Sequence, residues 1–112
     1  MKLRALATTL AFGVAASLAA PAHAQLPDPC TVYLCMAGIS GSGSTGGPVC
    51  IAPIAFWHMA SPAGLAVWGP YGFIPPASYA LREAYLTACP GSSVATNEAV
   101  LQSIMTEWGS EP

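Results

Sequence analysis

Charge is what this chain has least of. Of its 112 residues, three are Lys or Arg and five are Asp or Glu, together 7% of the chain. Two of the three bases, Lys2 and Arg4, stand at the start. Downstream, Arg82 is the only base against Asp28, Glu83, Glu98, Glu107 and Glu111. That excludes nucleic acid as a partner, because a phosphate backbone is bound by a basic footprint that releases counterions. Anionic lipid surfaces are disfavoured for the same reason. His58 is the only histidine beyond residue 24. With only the scattered Met36 and Met59 to help, it is a weak set for a soft metal, so no metal and no cofactor is expected. Beyond residue 24 there is no unbroken apolar run of about 18 residues, so no transmembrane segment is expected there.

Catalytic groups are scarce too. A Ser–His–Asp triad would need His58 beside Asp28, and Asp28 is better explained as a helix cap. Cysteine catalysis needs a free thiolate, and all four cysteines are expected to be paired. Hydrolysis of a sugar polymer needs a carboxylate in a cleft, whereas Glu83 and Glu98 fall on outward helix faces. An enzyme is therefore not expected.

The first 24 residues read as a secretory signal peptide. Lys2 and Arg4 precede an apolar stretch from Ala5 to Ala20, and Ala22-His23-Ala24 has the small-x-small form of a cleavage site. The expected destination is the periplasm or the outside of the cell. Residues 25–112 then form a single mature domain. Its surface is made of Gly, Ser, Thr, Ala and aromatics. Such a surface resists association poorly, which suits a chain that packs against something larger.

Four cysteines, Cys30, Cys35, Cys50 and Cys89, in a small exported chain read as two disulfides. The central stretch is Asp28 to Gly38. Asp28 is a good N-cap, Pro29 suits the first helical position, and Gly38 can end the helix. In that helix Cys30 and Cys35 point about 140° apart, so they do not bond to each other. The preferred pairs are Cys35–Cys50, across the glycine-rich connector, and Cys30–Cys89. The alternative, Cys30–Cys50 with Cys35–Cys89, stays open. Residues 38–49 read as a flexible Gly/Ser connector. It lacks the lysine and the preceding strand of a phosphate-binding loop.

The fold class that follows is all-α: a small disulfide-stapled bundle of about four short helices with a long Gly/Pro/aromatic loop. The second helix is expected from Pro53 to Met59, with Ile54, Phe56 and Trp57 on its apolar face. Residues 61–74 have no period and carry Pro62, Gly64, Gly69, Pro70 and Gly72, which rules out a long helix. They form an aromatic loop, with only weak alternation for a hairpin. The plainer reading is an ordered loop whose aromatics plug the core; the sharper one makes Trp68, Tyr71 and Phe73, with Arg82, the candidate partner surface, because such side chains anchor interfaces. A third helix runs from Pro75 to about Ala88, with Leu81, Tyr85 and Cys89 on its inner stripe, beside Ala77, Ala84 and Ala88. Arg82 lies on its flank, either as a solvated or carbonyl-capping side chain or in a salt bridge to Asp28 or to an acid of a partner. The C-terminal helix falls within 96–109. Val100, Leu101, Ile104, Met105 and Trp108 make its apolar stripe, Thr96 or Asn97 caps it, and Gly109 ends it.

Three blocks in this order carry a family resemblance. They are Asp28-Pro29-Cys30-x4-Cys35-Met36-Ala37-Gly38, then Cys50 with Phe56-Trp57, then Arg82-x3-Leu86-x2-Cys89-Pro90-Gly91. The pattern resembles the TrbM/KikA family of conjugal transfer proteins and covers roughly residues 28–91. The loop over 61–74 and the last helix are less family-like. The resemblance implies a periplasmic accessory of a conjugation or type IV secretion system that works through protein–protein contacts, with no catalytic residues to carry over. The alternatives are a secreted binding module or inhibitor unrelated to conjugation, and a toxin-like effector.

Overall fold

The computed structural model describes residues 26–41 and 46–112. The leader expected over residues 1–24 and the middle of the Gly/Ser connector lie outside the described residues. The described residues form four helices, a short hairpin and one 3-10 turn: α1 Pro29–Ile39, the 3-10 turn Gly47–Cys50, α2 Ile51–His58, β1 Trp68–Gly69, β2 Gly72–Phe73, α3 Pro75–Thr87 and α4 Thr96–Trp108. It is predominantly helical, as expected.

Helix α1 is the hub, packing against each of the other three helices. It starts where the sequence says. The Asp28 carboxylate accepts from Cys30 N–H (2.9 Å) and Thr31 N–H (3.3 Å), and Pro29 occupies the first turn. Asp28→Ala is therefore expected to lower stability by about 1 kcal/mol, the usual worth of an N-cap, read as a shift in the urea midpoint. The far end differs from expectation. Gly38 is buried inside the helix, which runs on to Ile39, and it is Gly41 that turns left-handed (φ +81°). Glycine fits there because a Cβ disfavours that conformation.

Both cystines are the preferred pairs: Cys30–Cys89 and Cys35–Cys50. The connector is shorter than expected at its far end, since Gly47-Pro48 already begin the 3-10 turn that carries Cys50 into α2. Helix α2 thus starts at Ile51 rather than at Pro53. Pro53 is tolerated in its first turn because no intrahelical donor is needed there.

The core joins Val32, Tyr33, Met36 and Ala37 of α1 to Phe56 and Trp57 of α2, Leu65, Leu86 of α3, and Leu101, Ile104 and Met105 of α4. Large apolar side chains buried this fully contribute about 1.5–3 kcal/mol each before the entropy of ordering is counted. Two buried hydrogen-bond groups tie α4 to the rest. Tyr33 Oη donates to Asn97 O (2.7 Å), and Trp57 Nε1 donates to Trp108 O (3.2 Å). The stripe of α4 is the expected one, with Val100 and Trp108 half-buried at its edges. Its cap is not. Neither Thr96 nor Asn97 caps it; the N-cap is Ala95 at φ +49°, with no side-chain bond, and the Asn97 amide instead donates to Gly91 O (3.0 Å). Gly109 does follow the helix, for a packing reason. A Cβ there would come within 2.7 Å of the Tyr79 ring.

Helix α3 presents a different face from the expected one. Its buried residues are Ser78, Arg82 and Leu86, while Leu81 and Tyr85 are half-buried and Ala84 and Ala88 are exposed. The inner row is still spaced i, i+4, i+8, but it is displaced by one residue and centred on Arg82, the only Lys or Arg among the described residues.

Candidate functional site

The aromatic segment is an ordered hairpin rather than a loop without pairing. β1 and β2 pair antiparallel, with Trp68 opposite Phe73 and Gly69 opposite Gly72. The turn between them is Pro70-Tyr71, and Gly72 takes φ +123°. The approach to it is fastened by backbone bonds from Leu65 N–H to Phe56 O (3.0 Å), Ala66 N–H to Met59 O (2.9 Å) and Ser61 N–H to Ala66 O (2.8 Å). These hold Leu65 and Ala66 inside the protein. The hairpin's own base is closed by Ile74 N–H donating to Val67 O (2.9 Å).

Ser78, fully buried on α3, is a residue that reading the sequence missed. Its hydroxyl accepts from Val67 N–H (2.8 Å) and donates to Ile74 O (2.9 Å). One side chain thus clamps both strands' roots to the first turn of α3. The signal was present: a serine just inside a helix readily bonds to backbone outside or below it.

On this frame the candidate partner residues separate. Trp68 is 52% exposed and Tyr71 fully so, while Ile74, also exposed, sits at the base of the hairpin on the face opposite Trp68. Phe73 is half-buried, with its ring edge-on to Trp68 (5.5 Å between centroids). Arg82 does not belong to the surface at all. It is 0% exposed and forms no ion pair with Asp28. One guanidinium nitrogen donates to Trp108 O (2.9 Å), Gly109 O (3.1 Å) and Glu111 O (2.6 Å). The other donates to Trp57 O (2.9 Å). The planar group lies between the Trp57 ring (4.9 Å) and the Phe73 ring (5.6 Å). The carbonyl-capping role is therefore the observed one, exercised in the interior rather than on the flank.

The physical reason is the C-terminal end of α4. Its last carbonyls have no intrahelical donors, and the helix dipole makes that end partially negative. A buried cation supplies both the donors and the charge. Burial lowers the Arg82 pKa to about 10, with the nearby Glu111 carboxylate acting the other way. It stays cationic throughout the neutral range, so the clamp does not switch there.

His58 is exposed, its Nδ1–H donating to Pro112 O (2.9 Å). Met59 is exposed, but Met36 is sealed in the core and cannot share a ligand with it. Among the described residues no three His, Cys, Asp or Glu side chains stand close enough to hold a metal ion. No helix among them is long and apolar enough to cross a membrane. An apolar groove of ≈ 510 Å³ runs between α1 and the start of α4, walled by Leu34, Val49 and Val100 beside the Cys35–Cys50 bridge. A smaller one of ≈ 340 Å³ lies under Leu26, between Leu65 and Tyr85.

The most distinctive surface is therefore the hairpin tip, an uncharged aromatic projection on a rigid base. Comparison with protein-family models, with curated proteins and with solved structures finds no match to this chain.

Proposed function

We propose that this protein is an exported accessory of a conjugal transfer or type IV secretion system, working in the periplasm by contact with protein components of that apparatus. The observation that supports this reading best is how the three blocks resembling the TrbM/KikA proteins are joined. Cys30–Cys89 ties the first block to the last, and Cys35–Cys50 ties the first to the middle one. Arg82, which opens the third block, anchors α4. The stretches that carry the resemblance are thus one covalent unit, as a shared scaffold would require. Two cystines also suit an oxidising compartment outside the cytoplasm. Three polar side chains that could have served a site are engaged in structure: Asp28 by its cap, Ser78 by the hairpin and Arg82 by carbonyls. That leaves a surface suited to contact.

The test is DNA transfer from a donor carrying an in-frame deletion of the gene, complemented with and without residues 1–24. A large drop restored only by the form that keeps residues 1–24 is the expected outcome. Transfer at the parental frequency would overturn the proposal.

A further inference from the structure

We propose that the hairpin tip, formed by Trp68 and Tyr71, is a shallow anchor that lodges at the headgroup boundary of an electrically neutral lipid surface. The argument begins with charge. Residues 29–81 contain no Asp, Glu, Lys or Arg, and the tip lies inside this stretch. The charged group the hairpin does meet is Arg82, covered by Phe73 and bound to carbonyls. Protein interfaces surround their apolar anchors with a polar rim. Here the neighbouring sequence from Met59 to Ile74 offers only Ser61, Trp68 and Tyr71 as polar side chains. An apolar medium with a wet edge fits that composition better than a rimmed protein face does.

The side chains are the right kind. Trp and Tyr have an apolar body and one polar atom, and they collect where hydrocarbon meets water. The backbone suits the task as well. Pro70 brings no N–H to the turn, and the paired glycines fold it tightly. Ser78 and the bond from Ile74 to Val67 hold the hairpin in place beforehand, so little ordering entropy is lost on docking. Two side chains make a weak and reversible anchor, below what a single acyl chain provides.

The sign of the lipid dependence follows from the net negative charge. Binding should weaken when anionic lipid is added at low salt, and recover as salt screens the repulsion. This is the reverse of a polybasic membrane binder. The proposal shares with the conjugation reading only the location at the envelope. The test below needs no donor strain, so either can fail without the other.

The experiment uses the disulfide-bonded mature protein with phosphatidylcholine vesicles whose acyl chains carry bromine. Tryptophan emission should be quenched in proportion to bound protein. Trp68→Phe should abolish the quenching, because Trp57 is fully buried and Trp108 half-buried on other elements. Tyr71→Ser, at a site that touches nothing structural, should weaken partitioning about tenfold without moving the melting temperature. Phosphatidylglycerol added to the vesicles should lower binding. Absence of quenching at any lipid concentration, indifference to Tyr71→Ser, or stronger binding to anionic vesicles would each overturn the proposal. So would a purified protein partner lost on Tyr71→Ser while vesicles stay unbound, which would make the tip a protein-docking element instead.

Discussion

Arg82→Ala is expected to destabilise the protein by about 4 kcal/mol, a large part of the 5–15 kcal/mol that holds a domain together. The substitution removes four hydrogen bonds at once and the cation between two aromatic rings. Bonds from a charged donor are worth about 1.5–3 kcal/mol each. The total is less than their sum, because the parent also carries the cost of keeping a cation from water. The carbonyl of Trp57 would be left in the interior without a donor. Trp108 O would keep only the Trp57 indole. Arg82→Lys should recover part of the loss, since an ammonium keeps the charge but lacks the planar fork that spans carbonyls of α2 and α4. Thermal melts followed by circular dichroism would check this. For a chain of this length the alanine variant should melt roughly 15–30 °C lower. A drop of only a few degrees would mean that the guanidinium does not hold α4 and its tail in place.

The second large effect concerns the longer cystine. Replacing both Cys30 and Cys89 by serine is expected to cost about 4 kcal/mol in the chain-entropy model, against about 3 kcal/mol for the Cys35–Cys50 pair, which closes a shorter loop. The separations are 59 and 15 residues. A domain of this size buries only ~60–65% of its unfolded surface, so its core has little reserve to absorb such a loss. Steady-state level in the producing cells should fall for Cys30→Ser, for Cys89→Ser and for the double variant, and less for the Cys35/Cys50 pair. Unchanged abundance and unchanged protease resistance in the double variant would remove the longer bridge from any account of stability.

Local chemistry was legible from residue order alone. Asp28-Pro29 announces the start of α1 because a carboxylate and a missing N–H solve the same end problem from two sides. Cys30 and Cys35 cannot meet on one helix, and that geometry directs each of them elsewhere. The stripe of α4 is readable because Leu101, Ile104 and Met105 face one way and Glu98, Gln102 and Glu107 another. What could not be read is whatever depends on a distant end. Arg82 breaks the apolar pattern of α3, so periodicity moved the inner face to Leu81 and Tyr85. The unmet carbonyls of α4, more than twenty residues later, are what draw it inside. For Trp68 and Tyr71 the sequence left two readings, core plugs or partner anchors, and their exposure removes the first. The rigidity beneath them was not legible, since it rests on Ser78, whose hydroxyl reaches back eleven residues to Val67.

The nesting of the two bridges bears on how the protein survives proteases. Cys35–Cys50 lies inside the ring closed by Cys30–Cys89, and that ring contains both the glycine-rich connector and the hairpin, the stretches of the kind proteases nick. A single backbone cut anywhere between residues 30 and 89 therefore leaves one covalent molecule, its pieces still joined and able to stay packed. A cut between Cys89 and the start of α4 is different. It frees α4 from every covalent tie and leaves it held by Arg82, Tyr33, Trp57 and the apolar seam.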